Sequence, residues 1–502
     1  MTRAPRGNIL FVTIDQLTMA ALTGPLAGAV PLPAFDRLAA RGARFDNHCT
    51  VTLPCGPARA SLLTGLYAMN HRAIRNGTPL ARHHATVATE ARKAGYEPLL
   101  FGYSDITPDP DGVDPEDPIL SSYEGVAPGF RELVEMRLDD GLEWPAYLRA
   151  RGHDFDMGGG PVPDLYRPVG PGNAPRPSDP AFYSAEESDT AYLTDRTLAA
   201  LDIRRDTPWF AHVTYIRPHP PLVAPAPWNR LVDPAALPAP DRAHPDHPFL
   251  DAWFSAPSNR GLFWGFDGDC VGLGDALVRE LRAVYLGLLA EVDHHIGRLL
   301  DWLDRTGQAD RTLVVVTADH GEMLGDKAMW GKESVFDPAF RVPLWIVDPR
   351  GGQAGATVTR PTESVDIAPT ILDWIGRSPP PAMDGRSLLP MCRGAAPADW
   401  REDQLLEADF GNPRGATRFQ TSLGLTDLQS SVAILRGRHW KYVHFGGGVP
   451  PMLFDLETDP GETRDLGRDP AHAETRARMM ARLIDRMSER RDRRHTQILI
   501  GT

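Results

Sequence analysis

The sequence has only four cysteines, and they are scattered along the chain as Cys49, Cys55, Cys270 and Cys392. Their spacing matches neither a disulfide framework nor a zinc-binding pattern, so we expect a protein of a reducing compartment. The N-terminal residues lack the apolar stretch and cleavage site of a signal peptide, and no apolar run reaches membrane-spanning length. These absences predict a cytoplasmic protein with no membrane association.

Positive charge is also scarce. The 502 residues include 53 Lys and Arg against 66 Asp and Glu, for a formal net charge of -13. Nucleic-acid binding needs a basic surface that neutralises phosphates, so we expect no nucleic-acid partner. The length suffices for one large domain and one smaller one.

Two near-continuous apolar runs, Asn8 to Asp15 and Thr312 to Asp319, predict fully buried strands. Apolar residues without polar alternation are typical of parallel strands that helices cover on both faces. Each run ends in an aspartate, and in open α/β sheets ligands bind outside the carboxyl ends of the strands. We therefore expect Asp15 and Asp319 to face one crevice.

Other elements alternate between strand and helix, which favours a mostly parallel sheet flanked by helices. Strands are predicted at Pro98 to Tyr103, Pro208 to Ile216 and Val342 to Val347, and helices at Pro33 to Arg41 and Ala276 to Thr306. From Thr107 to about Ser188, abundant Pro, Gly and Asp predict an irregular excursion over the sheet edge.

The chain changes character near Pro380. Short strands are predicted at Ser431 to Gly437, His439 to Phe445 and Met452 to Leu456, followed by a charged amphipathic helix at Ala471 to Glu489. We expect an α/β catalytic domain over residues 1–380 and a smaller α+β subdomain with an antiparallel sheet over residues 381–502. The tail from His495 to Thr502 ends in apolar residues, which predicts docking on a partner subunit or on the main domain.

The segment around Cys55 is the most informative motif. Its thirteen residues from Leu53 to Gly65 read Leu-Pro-Cys-Gly-Pro-Ala-Arg-Ala-Ser-Leu-Leu-Thr-Gly, and they resemble the sequence around the nucleophile of the sulfatase family. In that family a converting enzyme recognises Cys-x-Pro-x-Arg and oxidises the thiol to formylglycine, whose hydrate supplies the nucleophilic oxygen. The resemblance implies a formylglycine derived from Cys55 and a formylglycine-generating enzyme as maturation partner. Taken alone, the cysteine could also be a half-buried residue of a turn before a helix.

Asp15, Asp319 and His320 are the metal-ligand candidates. A single aspartate after a strand is about as often a helix cap or turn former as a metal ligand, so only the three residues together indicate a metal site. The run from Asp319 to Glu322 follows its strand as the corresponding Asp-His/Asn-Gly-Glu run does in sulfatases. The resemblance implies one divalent metal ion, bound by Asp15, Asp319, His320 and residue 55.

The residue after Asp15 departs from the common sulfatase pattern. Most sulfatases have a second aspartate there, whereas this chain has Gln16. Together with His320, this makes the site less anionic and richer in nitrogen. Imidazole is a better ligand for first-row metals than for calcium. We expect manganese or a similar divalent ion in preference to calcium.

The Asp-Gln pair with His320 is similar to one branch of the family, the phosphonate monoester hydrolases and related arylsulfatases with phosphodiesterase activity. The resemblance covers nearly the whole chain, including Asn70 to Ala73, Gly102-Tyr103, Arg217 to Pro221, Glu291 to Asp293 and Lys441 to Phe445. It implies the α/β fold of alkaline phosphatases and sulfatases: a large mixed, mostly parallel sheet sandwiched by helices, with a C-terminal α+β subdomain.

The same resemblance assigns roles to individual residues. Arg59 holds the formylglycine hydrate and offsets its charge, while His219 and Lys332 act at the departing oxygen. Gln16, Asn76 and Tyr103 bind the ester. Taken singly, each has an ordinary alternative, such as a helix cap, a surface bend or a solvated lysine.

Asp105 stands where this branch commonly has a threonine. A carboxylate in an anion-binding pocket is unfavourable unless it is paired, so we expect Asp105 to face away or to contact a cationic part of the substrate.

The leading prediction is a formylglycine-dependent, metal-assisted arylsulfatase that also hydrolyses phosphonate monoesters and phosphodiesters. The alternative has phosphonate monoester or phosphodiester hydrolysis as the native activity and sulfatase as the side activity. A two-metal phosphatase would need a Ser or Thr nucleophile and a second ligand cluster. A non-catalytic scaffold would have no reason to keep the whole set of candidate residues. We expect a homo-oligomer, a dimer or a tetramer.

Overall fold

A computed structural model describes residues 7–137, 141–157, 162–170 and 175–491. The strands are β1 (Asn8–Ile14), β2 (Ala43–Phe45), β3 (His48–Cys49), β4 (Pro98–Gly102), β5 (Arg131–Glu135), β6 (Phe210–Tyr215), β7 (Thr312–Ala318), β8 (Leu344–Val347), β9 (Ala356–Val358), β10 (Thr362–Glu363), β11 (Gln404–Asp409), β12 (Ser431–Arg436), β13 (Trp440–Phe445) and β14 (Met452–Asp455).

The α-helices are α1 (Ala20–Thr23), α2 (Pro33–Arg41), α3 (Cys55–Thr64), α4 (Ala68–His71), α5 (Val87–Lys93), α6 (Glu143–Ala150), α7 (Asp189–Ile203), α8 (Pro248–Phe254), α9 (Asp275–Arg305), α10 (Asp337–Phe340), α11 (Ile367–Trp374), α12 (Leu389–Cys392), α13 (Arg418–Leu423) and α14 (Ala473–Glu489). The ends of each strand and helix predicted from the sequence lie within two residues of those observed.

The main sheet contains eight strands in the order β5-β4-β6-β1-β7-β8-β2-β9. Only β8 runs against its neighbours, β7 and β2, so the predicted mixed, mostly parallel sheet is confirmed. Strand β1 pairs with β6 on one side and β7 on the other, and Ile14 lies opposite Tyr215 and Ala318. This register places the residues that follow β1 and β7 side by side at one edge of the sheet.

Helices cover both faces of the sheet, as the unbroken apolar runs predict. In β1, Leu10 and Val12 belong to the same core as α9, whereas Ile9 and Phe11 belong to the core that contains residues of α3, α5 and α11. Every residue of β1 is buried. A strand with two buried faces gains nothing from polar alternation, which explains its near-continuous apolar sequence.

The prediction of an irregular segment from Thr107 to Ser188 was wrong in part. Strand β5 forms one edge of the main sheet and pairs with β4, with a bulge between Leu100 and Phe101. Of its five residues only Val134 is buried, and helix α6 follows it. Charged residues on an edge strand limit pairing with other chains. They also leave the strand without the apolar pattern by which a strand is predicted from sequence.

A separate antiparallel sheet, β11-β12-β13-β14, forms the C-terminal part, and α14 packs on it. Strand β11 was not predicted. It approaches the N-terminal part of the chain through Glu407, whose backbone N–H donates to the carbonyl of Val51 at 2.7 Å. The division of the chain near Pro380 stays a prediction, and the tail from His495 to Thr502 lies outside the described residues. Within the described ranges, no helix is long and apolar enough to cross a membrane.

Candidate active site

Cys55 is the first residue of α3 and is only 6% exposed. Its Sγ lies 3.2 Å from Nε2 of His320 and 2.9 Å from Nζ of Lys332. Burial raises the pKa of the thiol well above its ordinary value, against the opposing effect of the Lys332 charge. The N-terminus of a helix favours negative charge, so residue 55 lies where an oxyanion is stabilised.

Asn76 lies beside the start of the same helix. Its Oδ1 accepts a hydrogen bond of 2.9 Å from the backbone N–H of Gly56. The side chain thus satisfies one of the free N–H groups of the first helical turn. The structure therefore gives Asn76 a contact with the helix that carries Cys55.

Asp15 and Asp319 follow the ends of β1 and β7 and lie together, as the sequence predicts. The Nε of Arg59 donates to Asp319 at 2.9 Å, and its Nη2 donates to Asp15 at 3.1 Å. Burial and the like charge of Asp319 raise the pKa of Asp15. Burial also acts to raise the pKa of Asp319, but the charges of His320 and Arg59 outweigh it and lower that pKa to about 2. One guanidinium therefore holds two buried carboxylates at a short separation.

Arg59 is 2% exposed, and its described contacts are with other buried groups of the site. Besides the two aspartates, it donates to the carbonyl of Tyr103 at 3.2 Å and lies 4.0 Å from the centre of the Tyr103 ring. The Tyr103 hydroxyl donates in turn to Asp15. The described contacts of Arg59 and Tyr103 thus orient the carboxylates.

The candidate metal ligands converge. One donor atom from each of Asp15, Cys55, Asp319 and His320 lies within 4.8 Å of the others, and all four residues are buried. The Oδ1 of Asp15 is buried without a hydrogen-bond partner among the described residues, which is the state expected of an oxygen that faces a cation. Carboxylate and imidazole donors at this spacing fit one divalent ion.

His320 faces this cluster with its Nε2 atom. Its Nδ1 lies 3.1 Å from the carbonyl of Gly321, and because a carbonyl only accepts, Nδ1 carries the proton. Nε2, which faces Cys55, is then left with a free lone pair. Burial lowers the pKa of His320 to about 4, so the ring is neutral near pH 7 and able to bind a metal.

Gln16 connects the cluster to Lys332. Its backbone has a φ of 63°, an uncommon left-handed conformation for a residue other than glycine. The side-chain Oε1 accepts from Nζ of Lys332 at 3.0 Å, and the side-chain NH₂ donates to Glu322. A second aspartate at position 16 would have no proton to donate to Glu322. The buried Glu322 was not among the predicted site residues, although it belongs to the Asp-His-Gly-Glu run.

Lys332, which contacts Cys55, also contacts His219. Nζ of Lys332 lies 3.2 Å from Nε2 of His219, and Nδ1 of His219 lies 2.5 Å from the carbonyl of Pro220. The carbonyl requires the proton on Nδ1, so Nε2 accepts from Lys332. Burial, followed by the Lys332 charge, lowers the pKa of His219 well below its ordinary value.

Arg217 fixes the backbone that carries His219. Its Nη1 donates to the carbonyls of His219 at 3.1 Å and Pro221 at 2.8 Å, and its Nε pairs with Asp189 at 2.8 Å. The guanidinium is 1% exposed. These contacts give a structural role to the Arg-Pro-His-Pro-Pro segment and to Asp189, which the sequence did not indicate.

Asp105 is 5% exposed and lies beside Arg59, and its expected contact with a cationic part of the substrate stays a prediction. Its Oδ2 lies 3.7 Å from Nε of Arg59, while its Oδ1 is buried without a partner among the described residues. Burial raises the pKa of Asp105 to about 8, with Arg59 acting in the opposite direction. Asp105 is therefore the third carboxyl group around the same guanidinium.

Comparison with known proteins agrees with this geometry. Residues 7–377 match the family model "Sulfatase", and residues 325–489 match the model "N-sulphoglucosamine sulphohydrolase, C-terminal". The chain belongs to the sulfatase family. The resemblance inferred from the motifs is thereby confirmed, as is the prediction of a hydrolase that acts on sulfate or phosphonate esters.

Two known proteins are similar in sequence to this sulfatase-family chain over most of its length. The multifunctional alkaline phosphatase superfamily protein PehA of Trinickia caryophylli is 38% identical over 483 residues, which cover 93% of this chain and 92% of that protein. The choline-sulfatase of Rhizobium meliloti (strain 1021) is 29% identical over 472 residues, covering 92% and 83%.

Among solved structures, the phosphonate monoester hydrolase SpPMH from Silicibacter pomeroyi superposes with a TM-score of 0.93 at 47% identity, covering 98% of this chain and 97% of that one. The phosphonate monoester hydrolase of Agrobacterium radiobacter gives 0.90 at 37% identity, covering 97% and 96%. These neighbours confirm the predicted sulfatase-like fold and its C-terminal antiparallel sheet.

Proposed function

We propose that the protein is a formylglycine-dependent, metal-assisted hydrolase of sulfate esters that also hydrolyses phosphonate monoesters and phosphodiesters. The observation that carries the proposal is the arrangement around Cys55: its Sγ lies within 4.8 Å of three potential metal ligands and within 2.9 Å of Lys332. The alternative reverses native and side activity, and it is favoured by the two phosphonate monoester hydrolases of 47% and 37% identity.

Two groups would complete the site. Asp15, Asp319, His320 and the oxygen of residue 55 would hold one divalent ion, manganese in preference to calcium, whose charge would polarise the ester oxygens. Formylglycine at position 55, made by a formylglycine-generating enzyme, would supply as its hydrate one hydroxyl for attack on sulfur or phosphorus and a second whose deprotonation releases the product by C–O cleavage. The Sγ of Cys55 marks the position of that oxygen.

The protein's own side chains would divide the remaining tasks. Lys332 would offset negative charge on residue 55, because its ammonium lies 2.9 Å from Sγ of Cys55, and also on the group transferred to that residue. His219 and Lys332 together would provide the proton that the departing oxygen needs: the ammonium of Lys332 carries it, and Nε2 of His219, which accepts from Lys332, takes it up for delivery. A positioned general acid contributes about 10²- to 10⁴-fold. Arg59 and Tyr103 hold the carboxylates, Gln16 contacts Lys332, and Asn76 contacts the helix that carries residue 55. Contact of Arg59 with the formylglycine hydrate, and of Gln16, Asn76 and Tyr103 with the ester, stay predictions.

This arrangement accounts for a broad substrate range. Sulfate monoesters, phosphonate monoesters and phosphodiesters all carry a single negative charge on a tetrahedral centre. One nucleophile, one ion and one lysine can therefore serve all three. A phosphate monoester with two negative charges would suit a two-metal site better.

Steady-state kinetics on esters with the same aryl leaving group test the proposal. We expect turnover of the aryl sulfate, the aryl phenylphosphonate and the diaryl phosphate, with the aryl phosphate much slower. The largest kcat/KM on the sulfate supports the leading assignment, and the largest on the phosphonate or the diester supports its alternative. Preferential turnover of the doubly charged phosphate contradicts both. Cys55→Ala, which cannot be converted to formylglycine, is the control.

The proposal extends to cellular context. We expect a cytoplasmic homo-oligomer, a dimer or a tetramer. If the tail from His495 to Thr502 contributes to assembly, deletion of residues after Arg494 lowers the assembly mass in light scattering. An unchanged mass would contradict a subunit contact by the tail.

A further inference from the structure

Lys332 lies on a loop, residues 321–336, that runs from the ligand cluster to α10. The loop has an uncommon backbone: Leu324, Lys327 and Ala328 have φ values of 54°, 55° and 57°. Left-handed conformations are costly for residues with side chains, and they persist only where surrounding contacts hold them. The contacts that hold this loop therefore determine where Lys332 lies.

One contact comes from inside the loop. The Oε1 of Glu322 accepts from the backbone N–H of Leu324 at 3.0 Å and from that of Gly331 at 2.5 Å. Gly331 directly precedes Lys332. The carboxylate thus closes the loop at its start and immediately before the lysine.

A second set of contacts joins the middle of the loop to the C-terminal part of the chain. Nζ of Lys327 donates to the carbonyls of Gly461 at 2.6 Å and Glu462 at 2.9 Å, and to that of Ala243 at 3.2 Å. The residue is only 4% exposed. Three backbone carbonyls therefore hold the ammonium group in place of water, and Lys327 ties the loop to residues 461 and 462.

A third set holds the end of the loop. The backbone N–H of Asp337 donates to Oε2 of Glu462 at 2.7 Å, and Nζ of Lys441 contacts Glu462 at 2.5 Å and Asp337 at 3.0 Å. Lys441 is 0% exposed and Glu462 is 1% exposed. A lysine that is buried completely is uncommon and needs paired carboxylates, which these two residues supply. Glu462 thus contacts the loop at Lys327 and, just beyond its end, the first residue of α10, Asp337.

We propose that Lys327, Lys441 and Glu462 are positioning residues for ester hydrolysis, which hold residues 321–337 so that Nζ of Lys332 stays between residue 55 and His219. The inference rests on the proposed function of Lys332. It makes the chemistry of the active site depend on contacts with the C-terminal sheet, and it gives a task to the segment from Lys441 to Phe445. A displacement of a catalytic group by about 1 Å costs up to about 10²-fold in rate.

The test compares Lys327→Met with Lys332→Met on two esters, one with a good leaving group (4-nitrophenol) and one with a poor leaving group (phenol). Proton donation matters more for the poor leaving group. We expect Lys332→Met to lower kcat/KM more for the phenyl ester than for the 4-nitrophenyl ester. We expect Lys327→Met to show the same bias, by about tenfold, with KM little changed. Lys93→Met removes an exposed lysine and is the matched control, expected to behave as the wild type.

A bias in Lys332→Met that is absent from Lys327→Met overturns the positioning role alone, because a general loss of folded enzyme lowers both rates equally. Absence of the bias in Lys332→Met overturns the proposed function of Lys332 and the inference with it. The double variant Lys441→Met/Glu462→Gln removes the buried pair without leaving a lone charge, and the same bias is expected. If Lys327→Met does not fold, Lys327→Gln, which keeps an amide donor, provides the comparison.

Discussion

The Nζ atom of Lys332 lies 2.9 Å from the Sγ atom of Cys55, although the two residues are 277 positions apart in sequence. Gln16 and His219 also contact that ammonium, so three side chains hold it in place. One ammonium group thus contacts both residue 55 and His219.

Replacement of His219 tests the acid side of the site. His219→Ala should lower kcat/KM for a phenyl ester by about 10²- to 10⁴-fold, since the departing oxygen loses the imidazole through which the proton of Lys332 would reach it. The loss should be smaller for the 4-nitrophenyl ester. His439→Ala, at an exposed histidine that pairs with Glu457, is the control and should keep wild-type rates. Equal losses on both esters would show that His219 does not act on the leaving group.

Gln16 and Glu322 should behave as a coupled pair. Gln16→Asp places a carboxylate where an amide now donates to Glu322, and we expect it to destabilise the fold by about 1–3 kcal/mol as well as to slow turnover. Adding Glu322→Gln restores a donor to the pair and should recover part of the stability. The measurement is a double-mutant cycle by urea unfolding. Strictly additive effects would contradict the coupling.

The ligand cluster predicts about one divalent ion per chain. Asp319→Asn should abolish metal retention in elemental analysis of the purified protein, because it removes a carboxylate oxygen that faces the cluster. It also leaves Arg59 with one buried partner fewer, so the metal-free variant should be less stable than the metal-free wild type. Chelation should abolish activity, and manganese should restore it better than calcium. Full metal content in Asp319→Asn would contradict the assignment.

Buried Glu291 predicts a pH dependence of stability away from the metal site. It lies on α9 near Asp189 and Arg217. Burial and then the like charge of Asp189 raise the pKa of Glu291 to about 8, while Arg217 and Ser188 act to lower it. A carboxyl group with a raised folded-state pKa stabilises the fold fully below its unfolded pKa, near 4.5, and this contribution is lost as pH rises toward 8.

Urea unfolding at pH 5, 6.5 and 8 checks this. The free energy of unfolding of the wild type relative to Glu291→Gln should fall across that range, by up to about 1.4 kcal/mol per pH unit. Glu402→Gln, at an exposed carboxylate, should show no such trend. A wild type that gains stability over Glu291→Gln as pH rises would reverse the sign and contradict the account.

The sequence predicted the centre of the site because local patterns determine it. Asp15 and Asp319 each follow an unbroken apolar run, and parallel pairing of those strands suffices to bring the two residues together. Cys55 was found through a motif that lies within one helix and the turn before it. These features depend on a few neighbouring residues and on one rule of sheet topology.

The remaining contacts depend on loops whose paths no local pattern specifies. Glu322 contacts Gln16, whose own backbone is left-handed, and Lys327 contacts Glu462, 135 positions further along the sequence. The same reason explains Asp105, which the fold turns toward Arg59. Edge strand β5 was not predicted because three of its five residues are charged and give no apolar pattern.

Turnover should depend on a formylglycine at residue 55, and peptide mass analysis tests this most directly. Protein made with the converting enzyme is digested, and the Cys55 peptide is weighed while the same sample is assayed on an aryl sulfate. We expect a peptide about 18 Da lighter than the cysteine form, as replacement of the thiol by an aldehyde requires, with activity in proportion to the converted fraction. Full turnover by protein with an unmodified thiol at Cys55 would contradict the account.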